Sequence, residues 1–389
     1  MRNFTYFNIT KIVFGRGVEE QAGKEAAKFG RKVLLHYGGG HIVRSGLKAR
    51  VEASLREAGL EIVELGGVQP NPRLSLVREG IDLVRREQVD LILAVGGGSV
   101  IDSAKAIAMG VPYEGDVWDF YAGKAEAEES LPVGVVLTIP AAGSESSPSS
   151  VITNEDGWLK RGYTGAVLRP RFALLNPELT YSLPPYQTAC GVADMMAHIM
   201  ERYFTNEPEV SFSDHLCEAS LRAIIQEAPR AIAEPENYGA RANIMWAGTF
   251  AHNDLLGNGR LGDWASHDIE HELSAIYDIA HGAGLAIVFP AWMKYVYKHN
   301  PERFVQFAVR VFAVEQDFFN PERTILEGIR RLEEFFSRIG LPTRLEHAGI
   351  PDDRLEEMAA KATANDTHKL GNFLPLGQED VLAIYKLCR

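Results

Sequence analysis

The sequence predicts an α/β domain with a doubly wound parallel sheet over residues 1–180 and an all-helical domain over residues 181–389. Three observations lead to this prediction. A chain of 389 residues is too long for one ordinary hydrophobic core. Short apolar runs alternate with helical patterns from about residue 30 to residue 175. After Pro185 the apolar runs fade, and long helical patterns dominate to the end of the chain.

Four apolar runs in the first half have the composition of buried parallel strands. They cover residues 32–37, 60–65, 90–95 and 135–140. Amphipathic segments lie between them. In the segment that begins NPRLSLVREG, we expect Asn71 to cap a helix and Pro72 to take its first position. Strands and helices in alternation predict a Rossmann-like, doubly wound sheet.

Composition and charge exclude several classes of protein. The net charge is −12 and no basic patch is interleaved with aromatic residues, so nucleic acid is not an expected partner. No apolar run reaches the roughly 18 residues of a membrane span. The segment MRNFTYFNITKIVFG lacks the pattern of a secretory signal, so we expect a cytoplasmic protein. The three cysteines are too irregularly spaced for a disulfide framework or a zinc knuckle.

Two of the predicted strands end in glycine triplets, Gly38–Gly40 and Gly96–Gly98. Open α/β sheets bind ligands at the carboxyl ends of their strands, where glycine lets the backbone approach a phosphate and the next helix offers unpaired N–H groups. We expect Ser99 to cap the helix after the second triplet and to donate its hydroxyl to an anion. Tight turns alone are the alternative explanation. Neither triplet fits the GxGxxG or P-loop pattern.

The helical half contains a cluster of residues with metal-binding chemistry. It consists of two pairs spaced four apart and one further histidine, namely Asp194 with His198, His267 with His271, and His281. A spacing of four places both members of a pair on one helix face. Imidazoles with a carboxylate suit a divalent first-row metal. The alternatives are that each histidine is a hydrogen-bonded core residue and that Asp194 is an exposed partner of Arg202.

The chain resembles the iron-containing (group III) alcohol dehydrogenases, and within them the branch of butanol dehydrogenases and NADPH-dependent aldehyde reductases. The motifs that carry this resemblance are NITKIVFGRG, GGGSVIDSAKAIA, TGAVLRPRFALLNPELTYSLP and EHELSAIYDIAHGAGLAIVFPAWMKYVY. The resemblance implies an architecture like that of dehydroquinate synthase, with a dinucleotide in the first domain and a metal and substrate in the second. It also implies a homodimer that interconverts small aldehydes and primary alcohols, such as butanal and butanol.

The resemblance assigns roles to individual residues. The metal ligands that it implies are Asp194, His198, His267 and His281. A family histidine that stays unligated beside the nicotinamide is similar to His271. The residues implied to hold the pyrophosphate are Gly97, Gly98 and Ser99. Other implied cofactor contacts are Asp102 with the nicotinamide carboxamide, Thr138 and Ser144 along the cofactor cleft, and Lys160, which would reach cofactor or substrate.

The chain departs from the family pattern at two positions. Ala142 stands where many members have threonine, and His41 stands where the first glycine loop often has serine. An alanine at position 142 cannot make the polar contact of a threonine hydroxyl.

Hydride transfer between the nicotinamide and a carbonyl carbon is the chemistry that we expect. A divalent metal, Fe(II) or Zn(II), would act as a Lewis acid on the substrate oxygen. A cleft between the domains is the expected site. The candidate catalytic residues are Asp102 and His271. A proton relay to solvent and a purely orienting role remain equally open for His271.

The first glycine loop predicts NADPH as the preferred cofactor. Relatives that use NAD tend to have aspartate in place of Gly38, where a carboxylate binds the ribose 2′-hydroxyl and repels a 2′-phosphate. Here the loop of Gly38, Gly39 and Gly40 contains no acid, and His41 and Arg44 add positive charge. The alternative is that the triplet is only a turn and that Arg44 is only solvated.

Two other functions stay open at this point. One is a different enzyme of the superfamily, of the glycerol dehydrogenase or dehydroquinate synthase type. Dehydroquinate synthase is disfavoured because the chain lacks the dense basic residues needed for a phosphorylated acid. The other is a non-catalytic nucleotide-binding protein, which would need no metal ligands. For assembly, the β-rich segment NFTYFNITKIVFG offers a sheet edge for a dimer.

Overall fold

The structure is a computed structural model that describes all 389 residues, and these residues form two compact units. One unit comprises Phe7–Leu183, and the other comprises Met1–Tyr6 together with Pro184–Arg389. The sequence placed the boundary near residue 180. The N-terminal amine donates a hydrogen bond to the backbone oxygen of Pro208 at 2.7 Å. The first residues of the chain therefore pack with the helical unit.

Eight strands form two sheets in the first unit. They are β1 Lys11–Phe14, β2 Lys32–Tyr37, β3 Glu61–Leu65, β4 Leu91–Gly96, β5 Val133–Leu137, β6 Ser149–Asn154, β7 Leu159–Thr164 and β8 Phe172–Leu175. Six of them form one sheet in the order β1-β8-β5-β4-β2-β3, and β6 and β7 form an antiparallel pair. The helices of this unit are α1 Ala22–Ala26, α2 His41–Arg44, α3 Leu47–Glu57, α4 Leu74–Glu87, α5 Gly98–Gly110 and α6 Trp118–Tyr121.

The strand order of the large sheet contains the kind of switch point at which doubly wound folds bind ligands. Every pair in this sheet is parallel, which confirms the predicted fold class. Apart from the added edge strand β1, the order β3-β2-β4-β5-β8 matches the 2-1-3-4-5 order of flavodoxin-like sheets. In that order the chain changes direction across the sheet between β2 and β4. The carboxyl ends of these two strands therefore flank the point where such folds bind ligands.

The N-terminus of α4 differs from the sequence prediction. The helix begins at Leu74 with Arg73 as its N-cap, whereas Asn71 has a φ of 53° and does not cap it. The cause is a tertiary contact, because the backbone N–H of Thr153 in β6 donates to the oxygen of Pro72 at 2.8 Å. That contact holds residues 72–73 in an extended conformation beside β6. The helix therefore starts later than the capping pattern indicates.

Two other element predictions also need correction. The predicted strand at 135–140 is β5, which ends at Leu137. Ser99 does not cap α5, because the helix already begins at Gly98 and Gly97 is the N-cap residue. Ser99 therefore lies in the first helical turn, where its hydroxyl is still near the helix N-terminus. The hairpin of β6 and β7 had no separate signal in the sequence analysis.

The second unit is built from nine helices. They are α7 Pro185–Tyr203, α8 Ser211–Ala233, α9 Tyr238–Ala251, α10 Ala265–Tyr277, α11 His281–Val296, α12 Pro301–Phe312, α13 Pro321–Arg338, α14 Leu355–Ala362 and α15 Gln378–Leu387. An aromatic cluster forms part of their shared core, in which Phe204 stacks on Phe304 at 4.5 Å and meets Trp292 at 5.4 Å between ring centroids. None of the helices combines the length and the apolar character that crossing a membrane requires.

A close approach of α11 to α7 positions the candidate metal ligands. Gly282 lies in the first turn of α11, and a Cβ atom there would lie 2.9 Å from Cys190 Cα and would overlap with the Cys190 carbonyl. Glycine thus lets the backbones of the two helices touch. As a result, the start of α11 lies against the N-terminal half of α7.

Candidate functional site

Three helices of the second unit bring a carboxylate and two imidazoles together. Asp194 lies on α7, His267 on α10, and His281 is the first residue of α11. One ligand atom of each lies within 4.8 Å of the other two. His281 Nε2 is 3.9 Å from Asp194 Oδ1. Asp194 and His267 are buried, and His281 is partly exposed. An ion held by this group would therefore keep a coordination position open on the side of His281.

His198, the fourth predicted ligand, touches this group. Its Nδ1 is 2.9 Å from Asp194 Oδ1 and 3.3 Å from His267 Nε2. It is not itself a member of the group within 4.8 Å. His198 therefore places an imidazole nitrogen beside two of the three members of the group, where it is a candidate fourth donor of an Asp-His-His-His set. Such a set suits a four-coordinate or five-coordinate divalent metal.

His271 lies beside the same cluster. Its ring centroid is 5.7 Å from that of His281, and its exposed fraction is 9%. His271 also belongs to a second, overlapping group with Glu270 and His281, whose ligand atoms again lie within 4.8 Å of one another. The first group has the better donor set, because His198 adds a further nitrogen beside it and three separate helices enclose it.

Two buried glutamates accept hydrogen bonds from the Nδ1 atoms of the candidate ligands His267 and His281. Glu201 Oε1 accepts a hydrogen bond from His267 Nδ1 at 2.8 Å, and Glu270 Oε2 accepts one from His281 Nδ1. Both glutamates are fully buried. Neither glutamate was among the residues predicted from the sequence. A usable signal was present, because each lies three residues after a candidate ligand, His198 or His267, in an otherwise apolar helix.

The surroundings favour the ligating form of His267. Burial, reinforced by the neighbouring imidazoles, lowers the pKa of His267 well below its usual value. A neutral imidazole that donates through Nδ1 keeps the Nε2 lone pair for a metal. The suggested pairing of Asp194 with Arg202 as exposed residues is wrong. Both are buried, and the Arg202 guanidinium donates instead to the His198 backbone oxygen and to His252 Nδ1, each at 2.7 Å.

In the first unit, three adjacent strands end at the predicted cofactor residues. Gly38–Gly40 follows β2, Gly97 and Gly98 follow β4, and Thr138 follows β5. The backbone N–H of Thr138 donates to Gly96 at 3.0 Å, which ties two of these loops together. A Cβ on Gly98 would meet no atom within 4 Å. Open space therefore borders the N-terminus of the 13-residue helix α5.

Asp102 is held in place by a buried network. Its Oδ1 accepts from Ser144 Oγ at 2.6 Å, and its Oδ2 accepts from the backbone N–H of Val151 at 3.0 Å. Lys105, which was not among the residues predicted from the sequence, donates to Ser144 Oγ at 2.9 Å and to the backbone oxygen of Ser149 at 2.8 Å. Burial lowers the pKa of Lys105 to about 8, opposed by the charge of Asp102. The lysine thus organises the loop around Asp102.

Lys160, His41 and Arg44, the other residues predicted near the cofactor, lie on two elements of the first unit, β7 and α2. Lys160 lies in β7 with an exposed fraction of 4%. His41 opens α2, and its Nε2 is 3.0 Å from Ser182 Oγ. Arg44, at the end of α2, is exposed. A Cβ on Gly40 would lie 2.7 Å from Arg44 Nη1, so the guanidinium reaches back to the glycine loop.

A doubly wound sheet with glycine loops at its switch point, joined to a helical unit with an Asp-His cluster, is the combination expected of a metal-dependent dehydrogenase. Residues 9–177 match the family model of the iron-containing alcohol dehydrogenases, and residues 188–388 match the model for the C-terminal part of the Fe-containing alcohol dehydrogenase family. The chain belongs to the iron-containing alcohol dehydrogenase family. This confirms the resemblance drawn from the sequence motifs.

Individual relatives cover nearly the whole chain. It is 46% identical over 386 residues to the probable NADH-dependent butanol dehydrogenase 1 of Bacillus subtilis strain 168, with 99% of each chain covered. It is 35% identical over 396 residues to the NADPH-dependent aldehyde reductase of Escherichia coli K12, with 100% of each covered. The crystal structure of NADH-dependent butanol dehydrogenase A from Thermotoga maritima superposes with a TM-score of 0.96 at 44% identity, covering 100% of this chain and 99% of that one.

These findings identify an enzyme. The protein is an alcohol dehydrogenase or aldehyde reductase that acts on small molecules, with a nicotinamide cofactor and a divalent metal. The alternatives of a lyase and of a non-catalytic nucleotide-binding protein are no longer supported.

Proposed function

We propose that this enzyme reduces small aliphatic aldehydes such as butanal with NADPH, and oxidises the corresponding primary alcohols, at a metal centre in its helical unit. The observation that carries the proposal is the convergence of Asp194, His267 and His281 from three helices. The names of the relatives, butanol dehydrogenase and aldehyde reductase, support the substrate class.

In the helical unit, Asp194, His198, His267 and His281 would hold Fe(II) or Zn(II). One carboxylate oxygen with imidazole nitrogens accepts either ion. When bound, the metal supplies Lewis acidity toward the substrate oxygen, and the nicotinamide supplies or accepts the hydride. Asp194 contributes a negative charge that offsets part of the charge of the metal. His271, beside His281 and slightly exposed, would move a proton between the substrate oxygen and solvent.

In the α/β unit, the loop after β4 would bind the pyrophosphate. Gly97 and Gly98 leave the first N–H groups of α5 accessible, and Ser99 offers its hydroxyl in the same turn. Asp102, one turn further along α5, would accept a hydrogen bond from the nicotinamide carboxamide. Ser144 and the other hydrogen-bonding partners of Asp102 fix its orientation. In this proposal Thr138 and Lys160 complete the contacts to the cofactor or the substrate.

The preference for NADPH is proposed from the loop after β2. That loop contains Gly38–Gly40, no acid, and the exposed Arg44 close to Gly40. A positive guanidinium suits a 2′-phosphate, and no carboxylate is present to repel it. The relatives are named for different cofactors: the Bacillus subtilis protein is named NADH-dependent and the Escherichia coli protein NADPH-dependent. The direct comparison of cofactors is therefore an essential test.

Removal of the metal is expected to abolish the reaction. Butanal-dependent oxidation of NADPH should fall to background after anaerobic treatment with a chelator, and Fe(II) or Zn(II) should restore it. Binding of NADPH alone should persist, because it depends on the α/β unit. Spectrophotometric rates and cofactor fluorescence measure the two properties separately. Full activity in protein that retains no metal would contradict the proposal, and metal analysis of protein purified without oxygen identifies the natural ion.

We also propose that the enzyme is a homodimer that pairs through β1. This strand lies at the edge of the six-stranded sheet, and the exposed aromatic residues Phe4, Tyr6 and Phe7 precede it. Such an edge pairs readily with a second copy. Sedimentation at micromolar concentration should give twice the 43.0 kDa of one chain, and Phe7→Lys should weaken the association. Only monomer in the wild type would refute this arrangement.

A further inference from the structure

Glu270 lies at the junction of the two helices that carry His267 and His281. It follows His267 by one turn of α10, and its side chain is fully buried. Its Oε2 accepts a hydrogen bond from His281 Nδ1, and its Oε1 accepts one from Ser274 Oγ. Both oxygens of this buried carboxylate therefore have donors.

The neighbouring helix leaves room for this carboxylate. Gly284 lies in α11, and a Cβ there would lie 2.8 Å from Glu270 Cγ and closer still to Oε1. Any larger residue at this position would displace the glutamate from His281. The close packing of α10 on α11 thus holds Glu270 against the His281 ring.

The hydrogen bond to Glu270 determines which nitrogen of His281 can bind a metal. With Nδ1 donating to the glutamate, the remaining lone pair is on Nε2, and Nε2 is the atom that lies 3.9 Å from Asp194 Oδ1. His267 has the same arrangement, with Nδ1 donating to Glu201. Glu201 also accepts the backbone N–H of Trp264 at 2.7 Å, so it additionally supports the start of α10. Glu270 accepts from the side chains of His281 and Ser274, and it is the residue chosen for the test.

We propose that Glu270 is a positioning residue of the metal centre, which fixes the ring orientation and tautomer of His281 and so raises the affinity for the divalent ion. The inference rests on the proposed function, because it requires that His281 is a ligand. Partners of this kind orient metal-binding histidines and increase their basicity. The carboxylate would also offset part of the charge of the ion.

Metal affinity tests this role directly. Apo protein is titrated with Zn(II) against a chromophoric chelator, and the rate of metal loss to excess chelator is measured separately. Glu270→Ala should weaken binding and speed metal loss by roughly 10- to 100-fold. Glu270→Gln should have a smaller effect, because its amide oxygen can still accept from His281 and its NH2 can donate to Ser274. That graded response distinguishes positioning from a general loss of packing.

A matched control is available on the same helix. Glu272 is also fully buried, and its Oε2 pairs with Lys361 Nζ at 3.5 Å. Glu272→Gln should leave metal affinity within about twofold of the wild type, while thermal unfolding reports the structural cost of each variant. The inference, but not the proposed function, would be overturned if Glu270→Ala bound Zn(II) as tightly as the wild type. It would also be overturned if Glu272→Gln lost as much Zn(II) affinity as Glu270→Ala. A wild type that binds no metal would overturn the proposed function as well.

Discussion

His281→Ala and His267→Ala are each expected to lower kcat/KM for butanal by at least about 10³-fold, because the Lewis acidity of a bound metal contributes several kcal/mol to the stabilisation of the transition state. Each change removes a nitrogen from the group that Asp194 completes. Too few donors would remain to hold an ion with an open position. Metal content should fall together with activity.

The control for this prediction is an exposed histidine of the same unit. His215 lies on α8, where its Nδ1 is 2.8 Å from the backbone oxygen of Ser211. His215→Ala should keep both metal and activity. Cofactor binding by the α/β unit should survive in all three variants. Unchanged turnover in His281→Ala protein that contains no metal would refute the assigned centre. The same measurement on His198→Ala shows whether that ring joins the donor set.

Gly38→Asp is expected to shift the cofactor preference toward NADH. The carboxylate would repel a 2′-phosphate and accept a hydrogen bond from a 2′-hydroxyl. Hydrogen bonds to charged groups contribute about 1.5–3 kcal/mol, so the ratio of kcat/KM for NADPH to that for NADH should fall by about 10- to 100-fold. The backbone accepts the change, because Gly38 does not have a positive φ and its Cβ would lie 3.4 Å from the Val68 carbonyl oxygen.

Gly38→Ala separates the effect of charge from that of size. It adds the same Cβ without a carboxylate, so it should keep the wild-type preference. Kinetic constants for both cofactors on the wild type and the two variants complete the test. Equal or better use of NADH by the wild type would disprove the proposed preference, although the assignment as an alcohol dehydrogenase would stand. Metal analysis and cofactor kinetics thus test the two units independently.

Local patterns in the sequence were sufficient for the fold class and for the candidate ligands. Apolar runs of strand length predicted the parallel sheet, because strands covered on both faces need continuous hydrophobic residues. The spacing of Asp194 and His198, and that of His267 and His271, follows the helical repeat, which any helix places on one face. The glycine triplets marked strand ends, because glycine allows the tight turn that follows a buried strand. Each of these signals depends on neighbouring residues in the chain.

Contacts between distant segments set the details that the sequence could not supply. The pairing of β6 with residues 72–73 moved the start of α4 away from Asn71. The close approach at Gly282 and Gly284 brought α11 against α7 and α10. There Nδ1 of His281 meets Glu270 and its Nε2 faces Asp194. Glu201 and Glu270 acquired their roles in the same way. Glu201 and His267, for example, are 66 residues apart in the sequence and are brought together only by the packing of their helices. Such packing is a property of the whole folded chain.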